Sequence, residues 1–346
     1  MDFTLTEEQQ MLSDTLRRFL AERYPIEHRN RIAFSKEGYS KELLDALVEL
    51  GVPTALTDTS FGGTGYDIMV VFEQLGRALV VEPFLGLLMA RRLSPDDAAD
   101  GSTAVALYEP AGRYDLGAVT TRATKTGTGF TLKGAKAVVP QIEMAKTILV
   151  SARTEHGIGL FAVPREAPGV KIRGYELIDG GRGGELVLDD APAELRNADA
   201  SSAIEAAVAA GIVALSAEAV GIMDVMKAST LEYLRTRVQF GIPIGKFQAL
   251  QHRMANVAIE IEQARSSAIN AATALDGDRA ARERAASAAK YTIGRVGTIV
   301  VEECIQLHGG IGMTWELALP HFAKRLTMIG HQLGDEDHHL ERYSKL

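Results

Sequence analysis

Apolar positions recur with a helical period through the first hundred residues. Leu12, Leu16, Phe19 and Leu20 share one face behind a capping-box start at Thr6 and Gln9. Ser40 is placed to cap a second helix, striped by Leu43, Leu44, Leu47 and Val48 and stopped at Gly51. A third, carried by Ile68, Val71, Phe72, Leu75 and Leu79, follows the loop 61–67. Between 101 and 200 the texture changes to short β-rich runs at 103–107, 130–132, 147–151, 159–163 and 185–188, separated by turn residues such as Lys133-Gly134. These runs predict a small antiparallel β-barrel or sandwich. From 201 onward alanine and helical periodicity return. The segment 204–234 would extend about 45 Å if it were one helix. Further candidates near 247–275, 279–307 and 335–344 predict an antiparallel four-helix bundle. The fold class is α+β multidomain: an N-terminal helical domain at 1–100, a middle antiparallel β-domain at 101–200 and a C-terminal four-helix bundle at 201–346. No G-x-G-x-x-G opens a helix after a strand, so no Rossmann unit is expected.

A chain of 346 residues, 46% apolar and 24% charged, has the composition of two or three packed domains. Lys and Arg number 37 against 45 Asp and Glu, giving 37 − 45 = −8. The basic residues do not cluster, so no nucleic-acid partner is expected. The apolar run 206–217 is interrupted by Ser216 and flanked by Glu205 and Glu218, which predicts no membrane span. The acidic opening MDFTLTEEQQ lacks a basic leader, so a cytoplasmic location is expected. The single cysteine, Cys304, excludes an intrachain disulfide and reads as a small buried apolar residue. Asp335, Asp337, His338 and His339 bring metal-binding atoms together. Adjacent histidines on a helix diverge by about 100°, however, and no metal site is expected. Residues 241–246 lack the full phosphate-loop pattern and read as a turn between helices.

Two motifs carry chemistry. In Arg237-Val-Gln-Phe240-Gly241, followed by Ile244-Gly-Lys-Phe-Gln248, a fixed fork of donors suited to a pyrophosphate stands near a flat apolar ring. In Gln306-Leu-His-Gly309-Gly310-Ile-Gly-Met-Thr314-Trp-Glu316, paired glycines let backbone amides approach a phosphate or ring. Trp315, the only tryptophan, reads as core or as a floor for the same site. Together with Phe61-Gly-Gly-Thr-Gly-Tyr-Asp67, the closing Gly334-Asp-Glu-Asp-His338-His339 and the α, β, α order, these motifs make the whole chain resemble the acyl-CoA dehydrogenase family of flavoproteins. The resemblance implies FAD as cofactor, an acyl-CoA thioester as substrate and an electron-transfer acceptor protein. It also implies that Arg237, Phe240, Gln248, Gln306, Gly309 and Gly310 reach across a subunit interface to a neighbour's FAD.

The family's reaction removes a proton from the thioester α-carbon while hydride leaves the β-carbon, so it needs a carboxylate base beside the flavin. The usual Arg-Ile-x-x-Ile-Tyr-Glu-Gly is matched by Arg325-Leu-Thr-Met-Ile329-Gly330-His331-Gln332, with His331 where glutamate belongs. The alternative position, on the long helix, holds Gly211. Likewise, Thr-Glu-Pro-x-x-Gly-Ser-Asp is matched by Tyr108-Glu109-Pro110-Ala-Gly112-Arg113-Tyr114-Asp115, and Trp-Ile-Thr by Val138-Val139-Pro140. Tyr108 and Glu109 keep part of the pattern, but the aromatic plate and the threonine are lost, which predicts that this chain holds a flavin of its own poorly or not at all; the catalytic residue is unknown. These departures resemble the smaller subunits of heteromeric actinobacterial-type acyl-CoA dehydrogenases, which act in steroid or other lipid catabolism. The expected partner is a homologous, catalytic subunit in a heterotetramer. One alternative is a self-sufficient homo-oligomer whose base has moved to His331, Glu205, Asp335 or Glu336. Another is a non-catalytic scaffold that binds acyl-CoA or a partner.

Overall fold

The computed structural model describes residues 4–58, 62–98, 101–127 and 129–346; Phe61, at the head of the predicted loop, lies outside the described residues. Helices α1 (Glu7–Arg23), α2 (Ile26–Ala33), α3 (Lys41–Glu49), α4 (Val52–Thr57), α5 (Gly65–Ala78) and α6 (Phe84–Leu93) form the N-terminal third. Thr6 and Gln9 form the predicted capping box of α1, and Ser40 accepts from the Leu43 amide at the start of α3. Leu43, Leu44 and Leu47 are buried, whereas Val48 is exposed.

The helical C-terminal part comprises α7 (Ser201–Thr236), α8 (Gln248–Ala274), α9 (Arg279–His308), α10 (Leu319–His331) and α11 (Glu336–Lys345). Two compact units result: one of Met1–Arg31, Thr54–Val80 and Ile212–Leu346, the other of Ile32–Pro53 and Val81–Gly211. In the first unit α8 packs along α9, and α10 and α11 also lie on α9. The long α7 is tied to α8 by Arg265 on Asp224 at 2.7 Å, and to α10 by the fork of Arg325 on Glu218 at 2.6 and 2.8 Å. An 18-residue window of α7 has a mean hydropathy of 1.9 and passes for a membrane span by length and composition, because Ser216 barely lowers the mean among so many apolar residues. Of that window 94% is buried inside the fold.

In the second unit lie strands β1 (Thr103–Ala106), β2 (Arg122–Thr126), β3 (Gly129–Lys136), β4 (Thr147–Thr154), β5 (Gly157–Pro164), β6 (Val170–Glu176) and β7 (Arg182–Asn197). The ring β4–β2–β3–β7–β5–β4 closes on itself, with β1 appended to β4 and β6 to β7. The all-antiparallel expectation is corrected: β4 runs parallel to both β1 and β2. Alternating residues of these strands fill the barrel with Leu132, Ile148, Val150, Phe161, Val163, Leu186 and Leu188.

Candidate cofactor site

The Arg237 motif begins where α7 ends. The Arg237 amide still donates to Tyr233 O, at 2.8 Å, and the chain then turns through a two-residue ladder of β8 (Val238–Gln239) and β9 (Ile242–Pro243). The Ile244 amide comes back to donate to Arg237 O, also at 2.8 Å, which fixes the base of the guanidinium arm. Phe240 sits at the tip with φ 55°, is 91% exposed, and meets Phe247 edge-on at 6.2 Å. Gln248 opens α8 and is exposed. Arg237 is exposed too, and among the described residues no carboxylate pairs with it.

The second motif ends α9. Gly309 closes the helix with φ 70° and ψ −150°, its amide donating to Gln306 O and Ile305 O, and the turn Gly309–Met313 follows. Gln306, Gly309 and Gly310 are exposed, and a side chain built on either glycine would meet only open space. The two motifs lie at one end of the same helical unit. Tyr233, one turn before Arg237, stacks on His308 at 4.5 Å, and Arg253 of α8 bonds Glu303 of α9 at 2.6 Å. An unpaired guanidinium, a projecting ring, two carboxamides and bare glycine backbone fit the diphosphate and adenine of a dinucleotide presented from outside the chain.

Beside this end, Trp315 is 66% exposed yet held. Lys324 Nζ lies 3.9 Å from its ring centroid, and His321 meets it edge-on at 4.9 Å. His321 is buried and bonds Asn30 at 3.1 Å; burial, then Arg29 and Lys324, pushes its pKa down to about 4.

The β-domain residues that would face a flavin of this chain's own are differently employed. Glu109 is buried and turned into the barrel, accepting from the Thr120 amide and hydroxyl, the Thr121 amide and Lys136 Nζ at 2.9 Å. Burial pushes its pKa up, but the bonds from Lys136, Thr120 and Thr121 outweigh burial and hold it down at about 2. Lys136 has no exposed surface and also reaches Leu107 O and Ser151 Oγ; burial lowers its pKa while Glu109 opposes. Val138 is exposed at φ 51°, a strained conformation for a β-branched residue. Val139 enters the core, and Pro140 has no amide hydrogen to donate. Glu109 and residues 138–140 thus offer neither a free carboxylate nor an aromatic ring, while Tyr108 and Tyr114 of the same stretch meet edge-on at 6.3 Å and Asp115 is exposed.

Gly211 is buried within α7 and brings no proton acceptor. His331, exposed at the end of α10, lines a cleft of about 310 Å³ with Asp335, Glu336, Asp337, Gly294 and Thr298. Glu205, the remaining acid considered for a displaced base, lies in the part of α7 that belongs to the other unit. The buried ion pair Glu109–Lys136 and the buried Lys290 under the cleft were not singled out from sequence. Alternation along a strand or helix marks apolar residues as inward, and a lysine in such a run reads as outward. Cys304 is buried and its thiol is pushed up to about 11 by burial, as a packing residue requires.

N-terminal helices, a small β-barrel and a bundle of long helices, in that order, make up the architecture of a flavoprotein dehydrogenase. The chain belongs to the acyl-CoA dehydrogenase family of FAD-dependent oxidoreductases. The family's N-terminal, middle and C-terminal domains match residues 6–90, 104–191 and 202–343. The acyl-CoA dehydrogenase FadE12 of Mycobacterium tuberculosis is 30% identical over 315 residues, 81% of each chain. The acyl-CoA dehydrogenase IpdE2 of Mycolicibacterium smegmatis is 29% identical over 98% of each. Among solved structures, the Tcur3481-Tcur3483 steroid ACAD superposes with a TM-score of 0.89 at 30% identity, covering 99% of this chain and 98% of that one. The ChsE4-ChsE5 complex of Mycobacterium tuberculosis shares the fold, with a TM-score of 0.88 at 24% identity over 100% and 98%.

Proposed function

We propose that this chain is the complementing subunit of a heteromeric FAD-dependent acyl-CoA dehydrogenase. It lends Arg237, Phe240, Gln248, Gln306, Gly309 and Gly310 to the FAD of a homologous catalytic partner. The observation that carries the reading is a contrast within the chain. The two cofactor motifs meet at one exposed end, with Arg237 unpaired among the described residues and Phe240 91% exposed. The chain's own flavin-facing Glu109 is locked in a buried ion pair, and Gly211 and His331 occupy the positions of the base. The likeness to the Tcur3481-Tcur3483 pair supports a two-chain assembly.

Bound FAD supplies the hydride acceptor for α,β-dehydrogenation of an acyl-CoA. This chain's share would be to hold and neutralise: Arg237 would bind phosphate, Phe240 would cover a ring and shield it from water, and Gln248 and Gln306 would donate at the rim. Proton removal falls to the partner. A steroid or other lipid acyl group, an electron-transfer acceptor protein and a cytoplasmic setting go with this reading.

The test is the visible spectrum and flavin-to-polypeptide ratio of the chain purified alone and then co-expressed with a homologous subunit encoded beside it. No flavin alone and about one flavin per two polypeptides together is the expected result. A yellow protein on its own that bleaches with an acyl-CoA would overturn it. A second reading, self-sufficient dehydrogenation, draws on one observation, the cleft that gathers His331, Asp335 and Glu336.

A further inference from the structure

The turn between α10 and α11 is held from below by a buried cation. Lys290 of α9 has no exposed surface, and its Nζ donates to Gly330 O at 3.0 Å and to Gly334 O at 2.6 Å. It thus ties both ends of the five-residue segment 330–334. The carbonyl between them, Leu333 O, accepts from the buried His339 Nε2 at 3.0 Å. Ser287, one turn before Lys290 on α9, lies 3.4 Å from His339 Nδ1. Leu333 takes a φ of 57°, a left-handed conformation that costs a leucine energy and persists where the surroundings hold it, and Gly334 follows at 121°, which glycine allows freely. On the outer side of this segment His331, Asp335, Glu336 and Asp337 line the cleft, and the Glu336 side chain lies over Gly294 of α9.

We propose that Lys290 is the positioning residue of this cleft: by holding the Gly330 and Gly334 carbonyls it fixes the turn from which His331, Asp335 and Glu336 are presented. An apolar side chain of the same length would be easier to bury, because an ammonium loses several kcal/mol of hydration in a protein interior. It would leave two inward carbonyls without donors, and the turn would have to open toward water to satisfy them. A charged donor to both gives the turn one arrangement. The charged and titratable groups around Lys290 are Asp335, Glu336 and His339 of the turn and α11, with His331 of α10 on the same cleft. Burial pushes the Lys290 pKa down to about 8, against the pull of Asp335 and Glu336; without its proton the amine keeps two N–H donors for the two carbonyls but loses the charge that strengthens both bonds. This inference goes beyond the subunit reading and stands whether or not the chain completes a partner's flavin site.

Hydrogen exchange of the full chain tests it. The amides of Gln332, His338 and His339 are bonded in or beside the turn. In Lys290→Met their protection should fall about tenfold or more while that of α8 is unchanged, and Lys290→Gln, which keeps a neutral donor, should recover part of it. In the unaltered protein the same amides, corrected for the intrinsic pH dependence of exchange, should lose protection between pH 7 and 9, a step absent from Lys290→Met. Wild-type protection in Lys290→Met, or no such step in the unaltered protein, would overturn the proposal. If Lys290→Met does not fold, Lys290→Gln decides: protection lower than in the unaltered protein at these amides, with α8 unchanged, is expected, and unaltered protection would overturn the proposal.

Discussion

Glu109 and Lys136 face each other with almost no exposed surface; Glu109 accepts from the Thr120 and Thr121 amides, and Lys136 shares Leu107 O with the Ser151 hydroxyl. Removing one partner leaves the other charge buried. Glu109→Gln or Lys136→Met should therefore each cost about 3–5 kcal/mol in urea unfolding, and the double change to an apolar pair less than the sum. The carboxyl is held at about 2 in the folded chain, below its ordinary 4.5, so the folded state binds this proton less readily than the unfolded state. Its stabilisation is complete above about pH 4.5 and fades as pH falls toward 2; the urea midpoint should drop over that window, and drop less in Glu109→Gln. If Arg237 holds the FAD of a partner, as proposed, Arg237→Ala should weaken FAD retention by the two-chain assembly about tenfold or more, read by equilibrium dialysis. Gln248→Ala should cost less, because an exposed carboxamide exchanges one bond for another with water.

At the scale of elements, α5 and α7 cross through two glycines. A Cβ on Gly76 would strike Glu218 O, and one on Gly221 would strike Glu73 O. Gly221→Ala must push the helices apart, so a loss of about 1–3 kcal/mol and a fall of several degrees in Tm are expected in a thermal melt. Long helices with clear stripes, capped α1 and α3, and the five most apolar strands were legible in the sequence because periodicity and caps are local properties. Strands β2 and β6 were not. The residues of β2 are polar and largely exposed, and β6 alternates charges and carries Gly174. Helix α10 escaped notice as a helix because Ala318 offers no side-chain cap and the buried His321 interrupts its apolar face. The parallel pairing of β1 with β4 leaves no trace in composition, since strand direction is set by what the barrel closes against. The Arg237 and Gly309-Gly310 motifs stand out in the sequence because their residue types are chemically unusual together. The Lys290 clamp does not, because its partners are carbonyls, which every residue has.

For the molecule as a whole, the two functional readings differ over which chain supplies the base. If the partner supplies it, His331→Ala, Asp335→Asn, Glu336→Gln and Glu205→Gln should each leave turnover of the assembled enzyme within about twofold of the original. If this chain is self-sufficient, one of these changes should cost about a hundredfold or more in kcat, the scale of general-base catalysis. The steady-state rates at saturating acyl-CoA separate the two.

The indole of Trp315 is the sole one in the chain, and it stands two-thirds exposed beside the segment that carries Gln306 and Gly310. The protein thus carries its own optical reporter at that edge. Its emission should lie toward the red in the isolated chain and move to shorter wavelength when a second polypeptide covers it, giving a label-free titration of assembly.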